Sequence, residues 1–324
     1  MKLKLVVLLW GICLVMTAGG QARGEPYPTR FVRIIVPAAA GSALDVNARK
    51  VADKLSQSLG QTVIVENKPG ANGIIGTDLA AKAKPDGYTL LMGSSSTLTI
   101  NPSLYPSLPY RPLDDFAAIT LAVRGTPIML VSASSQVQTL AEFIKLAKAK
   151  PGQMHYGSPG TGSIQHLAGK LLERKAGIEL VHVPYKNQSE IVSDLISGRI
   201  EAMIEFGAVA VPLIKVGKLR ALAIAGPARK PDLPEVPTAA QAGTPGFEVT
   251  GWTGYLAPAG TPPEIIEKLN REITVAISGA DYSNWVTSLG SEVIGGLPQA
   301  FAKIIRADLA SWDALIREAG VSME

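Results

Sequence analysis

Short runs of β-branched residues alternate with segments of helical periodicity along most of this 324-residue chain. FVRIIVP at 31–37 has the continuous apolar character of a buried strand, and residues 42–59 place apolar side chains on one helical face that ends at Gly60. Further strands are predicted for TVIVEN at 62–67 and YTLLMG at 88–93. This β-α-β-α-β order predicts a mostly parallel sheet with helices on both faces.

The same alternation returns in the second half of the chain. ELVHVPY at 179–185 and IEAMIEF at 200–206 are predicted strands, and helices are predicted at 163–174 and about 189–197. A proline-rich segment at 226–249 then interrupts the pattern. The chain is predicted to close with a strand and three helices, at 253–259, 263–277, 282–289 and 298–319.

Two α/β units followed by a helical tail predict a two-lobed, discontinuous molecule. We expect one lobe to contain residues 25–125 and 251–324, and the other to contain residues 126–250. The chain would then cross twice between the lobes, which would create a hinge.

The first 24 residues have the layout of a secretory signal peptide. Lys2 and Lys4 precede an apolar run at 5–16, and small residues allow cleavage near Ala22 or Gly24. The apolar run is too short for a transmembrane anchor, and no later apolar run reaches 18 residues. We therefore expect an exported protein with residues 1–24 removed.

The charge and cysteine content narrow the classes of partner. The only cysteine, Cys13, lies in the predicted leader, so no disulfide is expected in the mature protein. Of the formal net charge of +4, three positive charges (Lys2, Lys4 and Arg23) also lie there, which leaves about +1. Because no cluster of basic and aromatic residues occurs, nucleic-acid binding is not expected.

Three loops follow predicted strands and precede predicted helices, where open α/β sheets bind ligands. They lie at 37–45, 93–97 and 157–163, and they are rich in small and hydroxyl residues. Unpaired N–H groups at a helix start attract carboxylates and phosphates. The predicted ligand-binding residues in these loops are Ala40, Gly41, Ser42, Asp45, Ser95, Ser96, Gly157, Thr161, Gly162 and Ser163.

Structural roles for the same residues remain open. Ser42 and Asp45 have the spacing of a helix capping box, and the loop glycines could serve as turn formers. Tyr185 and Glu205 stand near strand ends, and we add both to the predicted site. Glu205 is either a solvated strand terminus or a carboxylate that meets a hydroxyl or ammonium group of the ligand.

The candidate residues are typical of a binding site and not of a catalytic site. The chain has no G-x-S-x-G nucleophile motif and no H-x-x-x-H pair, so we expect no enzymatic activity and no metal. Residues 160–165 imitate a dinucleotide fingerprint but lack its last glycine, so no cofactor is expected either. An exported hydrolase that uses Ser163 and His166 remains as the alternative from another class.

Seven segments in order along the chain resemble the tripartite tricarboxylate transporter substrate-binding proteins, the Bug family. They include IIVPAAAGSALDVNARKVADKL, VIVENKPGANGIIGTDLAAKAKPDGYTLLMG, YGSPGTGSIQHLAGKLL and VHVPYK. The resemblance implies a type 2 periplasmic binding protein (Venus flytrap) fold. It also implies that the two lobes close over a small organic mono- or dicarboxylate and deliver it to membrane permease subunits. The family's ligand loops fall on residues 40–45 and 157–163.

The sequence departs from the family pattern inside these loops. The usual P-G-G-x-x-D is here Ala40-Gly41-Ser42-Ala43-Leu44-Asp45, and Glu205 stands where an aspartate is common. The ligand therefore need not be a tricarboxylate. A sensory role, in which the closed form docks on a membrane sensor kinase, is the alternative to uptake. We expect a monomer.

Overall fold

The computed structural model describes residues 27–185 and 187–323. The predicted signal peptide therefore lies outside the described residues. The strands are β1 (Val32–Val36), β2 (Val63–Asn67), β3 (Thr89–Ser94), β4 (Phe116–Gly125), β5 (Ile128–Ser132), β6 (Met154–Ser158), β7 (Leu180–Pro184), β8 (Ala202–Glu205), β9 (Leu219–Ile224), β10 (Gly251–Pro258) and β11 (Ser291–Gly295).

Ten α-helices flank these strands in the described part of the chain. They are α1 (Ala43–Leu59), α2 (Ile74–Ala81), α3 (Asn101–Leu104), α4 (Leu140–Ala149), α5 (Ile164–Ala176), α6 (Gln188–Ser197), α7 (Gly207–Lys215), α8 (Pro263–Ser278), α9 (Ala280–Ser288) and α10 (Pro298–Ala319). A π-helical turn, Ser96–Ile100, follows β3 directly. Among the described helices, none combines the length and the apolar character that a bilayer span requires.

The strands form two separate sheets, which confirms the predicted two-sheet α/β architecture. The first sheet has the order β11-β4-β10-β3-β1-β2, and the second has the order β7-β6-β8-β5-β9. Apolar side chains of both sheets are buried against their helices, with Ile34, Leu90 and Tyr156 among the largest.

The prediction that each sheet is mostly parallel is wrong. In the first sheet β1 is parallel to β2 and β3, but β10 runs antiparallel to β3 and β4, and β11 runs antiparallel to β4. In the second sheet β6 is parallel to β7 and β8, whereas β5 is antiparallel to β8 and β9. The four strands next to the two crossings between the sheets, β4, β5, β9 and β10, each belong to an antiparallel pair, and β11 adds a further antiparallel edge strand.

The chain passes twice between the two sheets. Two residues separate β4 from β5 on the outward passage, and the proline-rich segment 226–250 precedes β10 on the return. The predicted lobe boundaries lie in these two passages. Phe247 and Val249 of the return segment are buried, so it packs on the body of the protein.

Local sequence signals set several helix ends. The Ser42 hydroxyl caps α1, and Gly60 ends that helix with a φ of 66°, as the sequence predicts. The Ser163 hydroxyl caps α5, and Gly177 ends it with a φ of 61°. Both capping serines stand at the end of a loop that follows a strand, so the caps orient two helix starts toward the same region of the molecule.

Candidate binding site

A cleft of about 350 Å³ lies where elements of the two sheets meet. This volume is within the range of small-molecule sites in proteins. The lining residues are Ala43, Leu44, Asn47, Ser94, Ser95, Ser96, Val123, Gly125, Ile164, Glu205, Phe206, Ala208, Gly251, Trp252, Thr253, Trp285, Val286, Leu289 and Ser291.

The start of α1 forms part of the wall on the side of the first sheet. The N–H groups of Ala43 and Leu44 have no hydrogen-bond partner among the described residues, whereas the N–H of Asp45 donates to the Ser42 hydroxyl at 3.3 Å. Unsatisfied N–H groups in a first helical turn carry the positive end of the helix dipole. This corner of the cleft therefore suits a negatively charged group.

The end of β3 contributes the neighbouring part of the same wall. Ser95 is 1% exposed, and its hydroxyl accepts a hydrogen bond of 3.3 Å from the Trp252 N–H. Ser96 is half-buried, and neither its hydroxyl nor its N–H is bonded to another described residue. Ser96 thus offers two further donors beside the start of α1.

Asn47 and Thr253 are held in fixed positions behind these donors. The Asn47 side-chain amide donates to the Thr253 hydroxyl at 3.2 Å, and its oxygen accepts from the Tyr282 hydroxyl at 2.7 Å. Because these bonds link α1, β10 and α9, the wall on this side is ordered without a ligand. Preorganised donors lower the entropic cost of binding.

Asp45 stabilises the first loop from inside. The carboxylate is buried, accepts from the Gly41 N–H at 2.8 Å and pairs with Arg49 at 3.0 Å. Burial raises the pKa of Asp45, but the hydrogen bonds from Arg49 and Gly41 outweigh it and hold the pKa below its usual value. Asp45, Gly41, Ser42 and Ala40 do not line the cleft.

The loop at 157–163 is likewise closed on itself. The Ser163 hydroxyl donates to the Gly160 carbonyl at 2.7 Å and accepts from the His166 N–H at 3.2 Å. The N–H of Gly162 donates to His166 Nδ1 at 3.1 Å. The cleft lining does not include Gly157, Thr161, Gly162 or Ser163. Ile164, which follows this loop directly, does line the cleft.

The predicted glycines of this loop have packing roles. A Cβ at Gly157 would lie 2.7 Å from the Ile191 side chain, and one at Gly162 would lie 2.6 Å from the Leu104 side chain. Gly162 also has a φ of 80°, which favours glycine. These contacts account for both glycines without a ligand.

His166 and His182 stack with their ring centroids 4.0 Å apart. Burial lowers the pKa of each to about 4, and the two rings are therefore neutral at pH 7. Ser158, which is fully buried, lies 2.6 Å from His182 Nε2, whereas Ser163 bonds a backbone carbonyl. The structure thus does not pair Ser163 with the His166 imidazole as the hydrolase alternative requires.

Glu205 is a buried carboxyl group on the cleft wall. It is 5% exposed, and it accepts from the Phe206 N–H at 2.7 Å and from the Gln165 amide at 3.2 and 3.4 Å. Burial raises the pKa of Glu205, and the hydrogen bonds from Phe206 and Gln165 only partly oppose this effect. The carboxyl group lies beside the starts of α5 and α7, two of the helices that flank the second sheet.

Glu205→Gln will raise the melting temperature at pH 8, by about 2 °C or more. A carboxyl group whose pKa is raised in the folded state binds more protons when the protein is folded than when it is unfolded. The free energy of unfolding therefore falls as the pH rises from the unfolded-state pKa to the folded-state pKa. Glutamine removes the desolvated charge and keeps an oxygen for the Phe206 N–H. Melting curves from pH 4 to pH 8 will show variant and wild type converging near the ordinary pKa of 4.5 and below. Equal melting temperatures at pH 8 would contradict a costly buried charge.

Tyr185 lies outside the cleft lining. Its hydroxyl donates to Asp194 at 2.9 Å. Burial raises the pKa of Tyr185 to about 12, and the Asp194 carboxylate adds to this effect.

Among the twelve predicted residues, Ser95, Ser96 and Glu205 line the cleft, and the other nine do not. The described residues contain no group of three or more histidine, cysteine or carboxylate side chains arranged to hold a metal ion.

Sequence reasoning missed most of the apolar wall. Trp252 is the second residue of β10, and Phe206 directly follows Glu205. Trp285 belongs to α9, and Leu289 follows its last residue. None of these residues belongs to a motif. Phe206 could have been predicted because it directly follows the predicted site residue Glu205. Trp252 and Trp285 reach the cleft only through tertiary packing.

A family model and several known proteins match this chain over most of its length. The model of the tripartite tricarboxylate transporter family receptor matches residues 47–321. The protein BugT of Bordetella pertussis is 36% identical over 314 residues, which are 96% of this chain and 96% of BugT. A UPF0065 protein from the tcbD-tcbE intergenic region of Pseudomonas sp. (strain P51) is 40% identical over 96% of this chain and 93% of its own.

Two solved structures with bound acids have the same fold. R. palustris Rpa4515 with adipate is 32% identical, with a TM-score of 0.80 over 91% of this chain and 99% of that one. MatC (Rpa3494) from Rhodopseudomonas palustris with bound malate is also 32% identical, with a TM-score of 0.76 over 90% of this chain and 100% of that one.

Proposed function

The chain belongs to the tripartite tricarboxylate transporter family of receptors, and from this premise we propose that it captures a small organic carboxylate between two lobes for a tripartite membrane permease. Relatives solved with adipate and malate support a carboxylate ligand. The observation that carries the proposal is the cleft between the two sheets, with N–H donors at the start of α1 that have no partner among the described residues.

The ligand carboxylate is placed at the start of α1, beside Ser95 and Ser96. The Ala43 and Leu44 N–H groups and the Ser96 N–H and hydroxyl supply four donors there. A hydrogen bond to a charged group contributes about 1.5–3 kcal/mol, so these four match the roughly 8 kcal/mol of a micromolar complex. Ala40, Gly41, Ser42 and Asp45 hold this corner in shape.

The second lobe, residues 126–250, closes over the ligand by moving against residues 25–125 and 251–324. Ile164, Phe206 and Ala208 form its share of the cleft wall. Gly157, Gly162 and Ser163 shape the loop that leads into this wall, whereas Thr161 and Tyr185 lie outside the cleft lining. Glu205 lines the cleft and meets the ligand directly. Ligand contact with both lobes stabilises the closed form by its differential affinity.

The site of action is the periplasm, reached through residues 1–24 as a signal peptide. A solved relative, BugD, is itself a periplasmic binding protein. The protein acts as a monomer on its permease. Light scattering of the protein without residues 1–24 measures its molar mass and so tests the monomeric state. Uptake of the radiolabelled acid by cells with and without the permease distinguishes transport from sensing.

A thermal-shift screen tests the function. The leaderless protein is refolded from urea to remove any carried-over ligand and is then heated with hexanoate, phenylacetate, adipate, malate and citrate. An acid at 100 times its Kd adds about 2.7 kcal/mol, which raises the melting temperature by roughly 5 °C or more. Hexanamide is the neutral control. If none of the acids shifts the melting temperature of folded protein, the carboxylate function is wrong.

A further inference from the structure

Outside the corner formed by the start of α1 and the end of β3, most of the cleft wall is apolar, although Glu205 and Ser291 also line it. Val123, Ile164, Phe206 and Leu289 face it together with Trp252 and Trp285. Among the described lining residues there is no arginine, lysine or histidine. Away from the start of α1, the wall therefore offers a ligand mostly apolar contact and no cationic side chain.

Three cations lie near the wall without lining it. The Lys50 Nζ lies 5.4 Å from the centroid of the Trp285 ring, and the Lys230 ammonium donates to the Gly290 carbonyl. Arg124 follows Val123 along β4 and lies 4.0 Å from Glu292. None of these side chains belongs to the cleft lining, where it would neutralise a second negative group on the ligand.

The helix starts on the opposite side have N–H groups at Ile164 and Ala208 without a partner among the described residues, but a carboxyl group of the protein itself lies beside them. Glu205 accepts from the Phe206 N–H at the start of α7 and from the Gln165 side chain of α5. A ligand carboxylate that reached this side would meet Glu205 and apolar side chains. A buried charge without a partner is strongly unfavourable. At a pH where Glu205 is ionised, the like charge adds to this cost.

Building on the proposed function, we infer that the cleft selects a monocarboxylic acid with an apolar body, aromatic or aliphatic, over dicarboxylic and tricarboxylic acids. The carboxylate occupies the corner formed by Ala43, Leu44 and Ser96, and the apolar body packs against the tryptophan and aliphatic wall. Hydrophobic burial of the body favours such acids, while the wall excludes a second carboxylate.

Titration calorimetry with matched acids tests this selectivity. Hexanoate and adipate have the same chain length with one and two carboxylates, and benzoate and terephthalate form the same pair on an aromatic ring. We expect each monocarboxylate to bind at least tenfold more tightly than its dicarboxylate partner, and hexanamide not to bind. Adipate or terephthalate binding as tightly as its partner overturns the inference while leaving the proposed function intact. If no acid binds, the proposed function fails as well.

Two variants ask whether the apolar wall makes the selection. Leu289→Asn and the nearly isosteric Val123→Thr should each weaken benzoate binding at least threefold, with adipate affected less. Leu113→Asn is the matched control, because Leu113 is exposed and lies outside the cleft lining. Circular dichroism verifies the fold of each variant. If both folded wall variants bind benzoate as the wild type does, the apolar wall does not contact the ligand and the inference is wrong.

Discussion

Replacing Ala208 by tryptophan will lower the affinity for every acid that the wild type binds by about 100-fold or more, which is about 2.7 kcal/mol. Ala208 is the second residue of α7, is exposed and lines the cleft. An indole at this position would occupy much of the 350 Å³ space and would obstruct closure of the lobes. Calorimetry with benzoate and adipate measures the loss.

The control for this variant is Ala141→Trp. Ala141 is also an exposed alanine at the second position of a helix, α4, and it does not line the cleft. Both variants should melt close to the wild type without ligand, because a substitution at an exposed position usually changes stability by no more than about 0.5 kcal/mol. Ala208→Trp with unchanged affinity for benzoate and adipate would show that the ligand binds elsewhere.

Gly169→Ala will lower the melting temperature by roughly 5 °C, although alanine favours a helix over glycine by about 1 kcal/mol. Gly169 is buried in α5, and a Cβ there would lie 2.7 Å from the Tyr156 hydroxyl and closer still to its ring. Tyr156 is fully buried and donates to the His166 carbonyl at 3.1 Å, so its ring has no free space. Overpacking of this kind costs about 1–3 kcal/mol.

A double-mutant cycle identifies the clash. Tyr156→Leu alone should destabilise the protein by leaving a cavity, and the Gly169→Ala/Tyr156→Leu pair should be more stable than the sum of the two single effects. Differential scanning calorimetry gives the four melting temperatures. A Gly169→Ala variant that melts above the wild type, as a helix glycine in open space would predict, contradicts the packing described for Tyr156.

The helices and many of the strands were predictable because their signals are local. The predicted helix at 298–319 has the observed bounds of α10, and 263–277 falls one residue short of α8. Ser42 and Ser163 cap their helices, as the structural alternative for Ser42 allowed. Strand direction was not local: β10 returns from the other lobe and pairs antiparallel with β3, which the expectation of a mostly parallel sheet did not include.

The sequence predicted which loops between a strand and a helix lie near the candidate site. It did not predict which residues of those loops reach the cleft. The loops at 37–45 and 157–163 were correctly recognised as helix starts, but their glycine and serine groups are bonded within the loops. Ala43 and Ile164, one residue beyond each cap, are the residues that reach the cleft. A sequence pattern identifies the cap without showing which neighbouring N–H group is left without a partner.

By itself, the sequence determined the alternation of strands and helices, the positions of the capping residues and the presence of loops suited to an anion. These follow from interactions within one or two turns of chain. Only the tertiary structure decided that Ala43, Ser96, Glu205, Trp252 and Trp285 share one cleft. The reason is physical: packing and charge desolvation depend on residues that are distant in sequence, and the apolar wall that limits the ligand exists only once the two sheets come together.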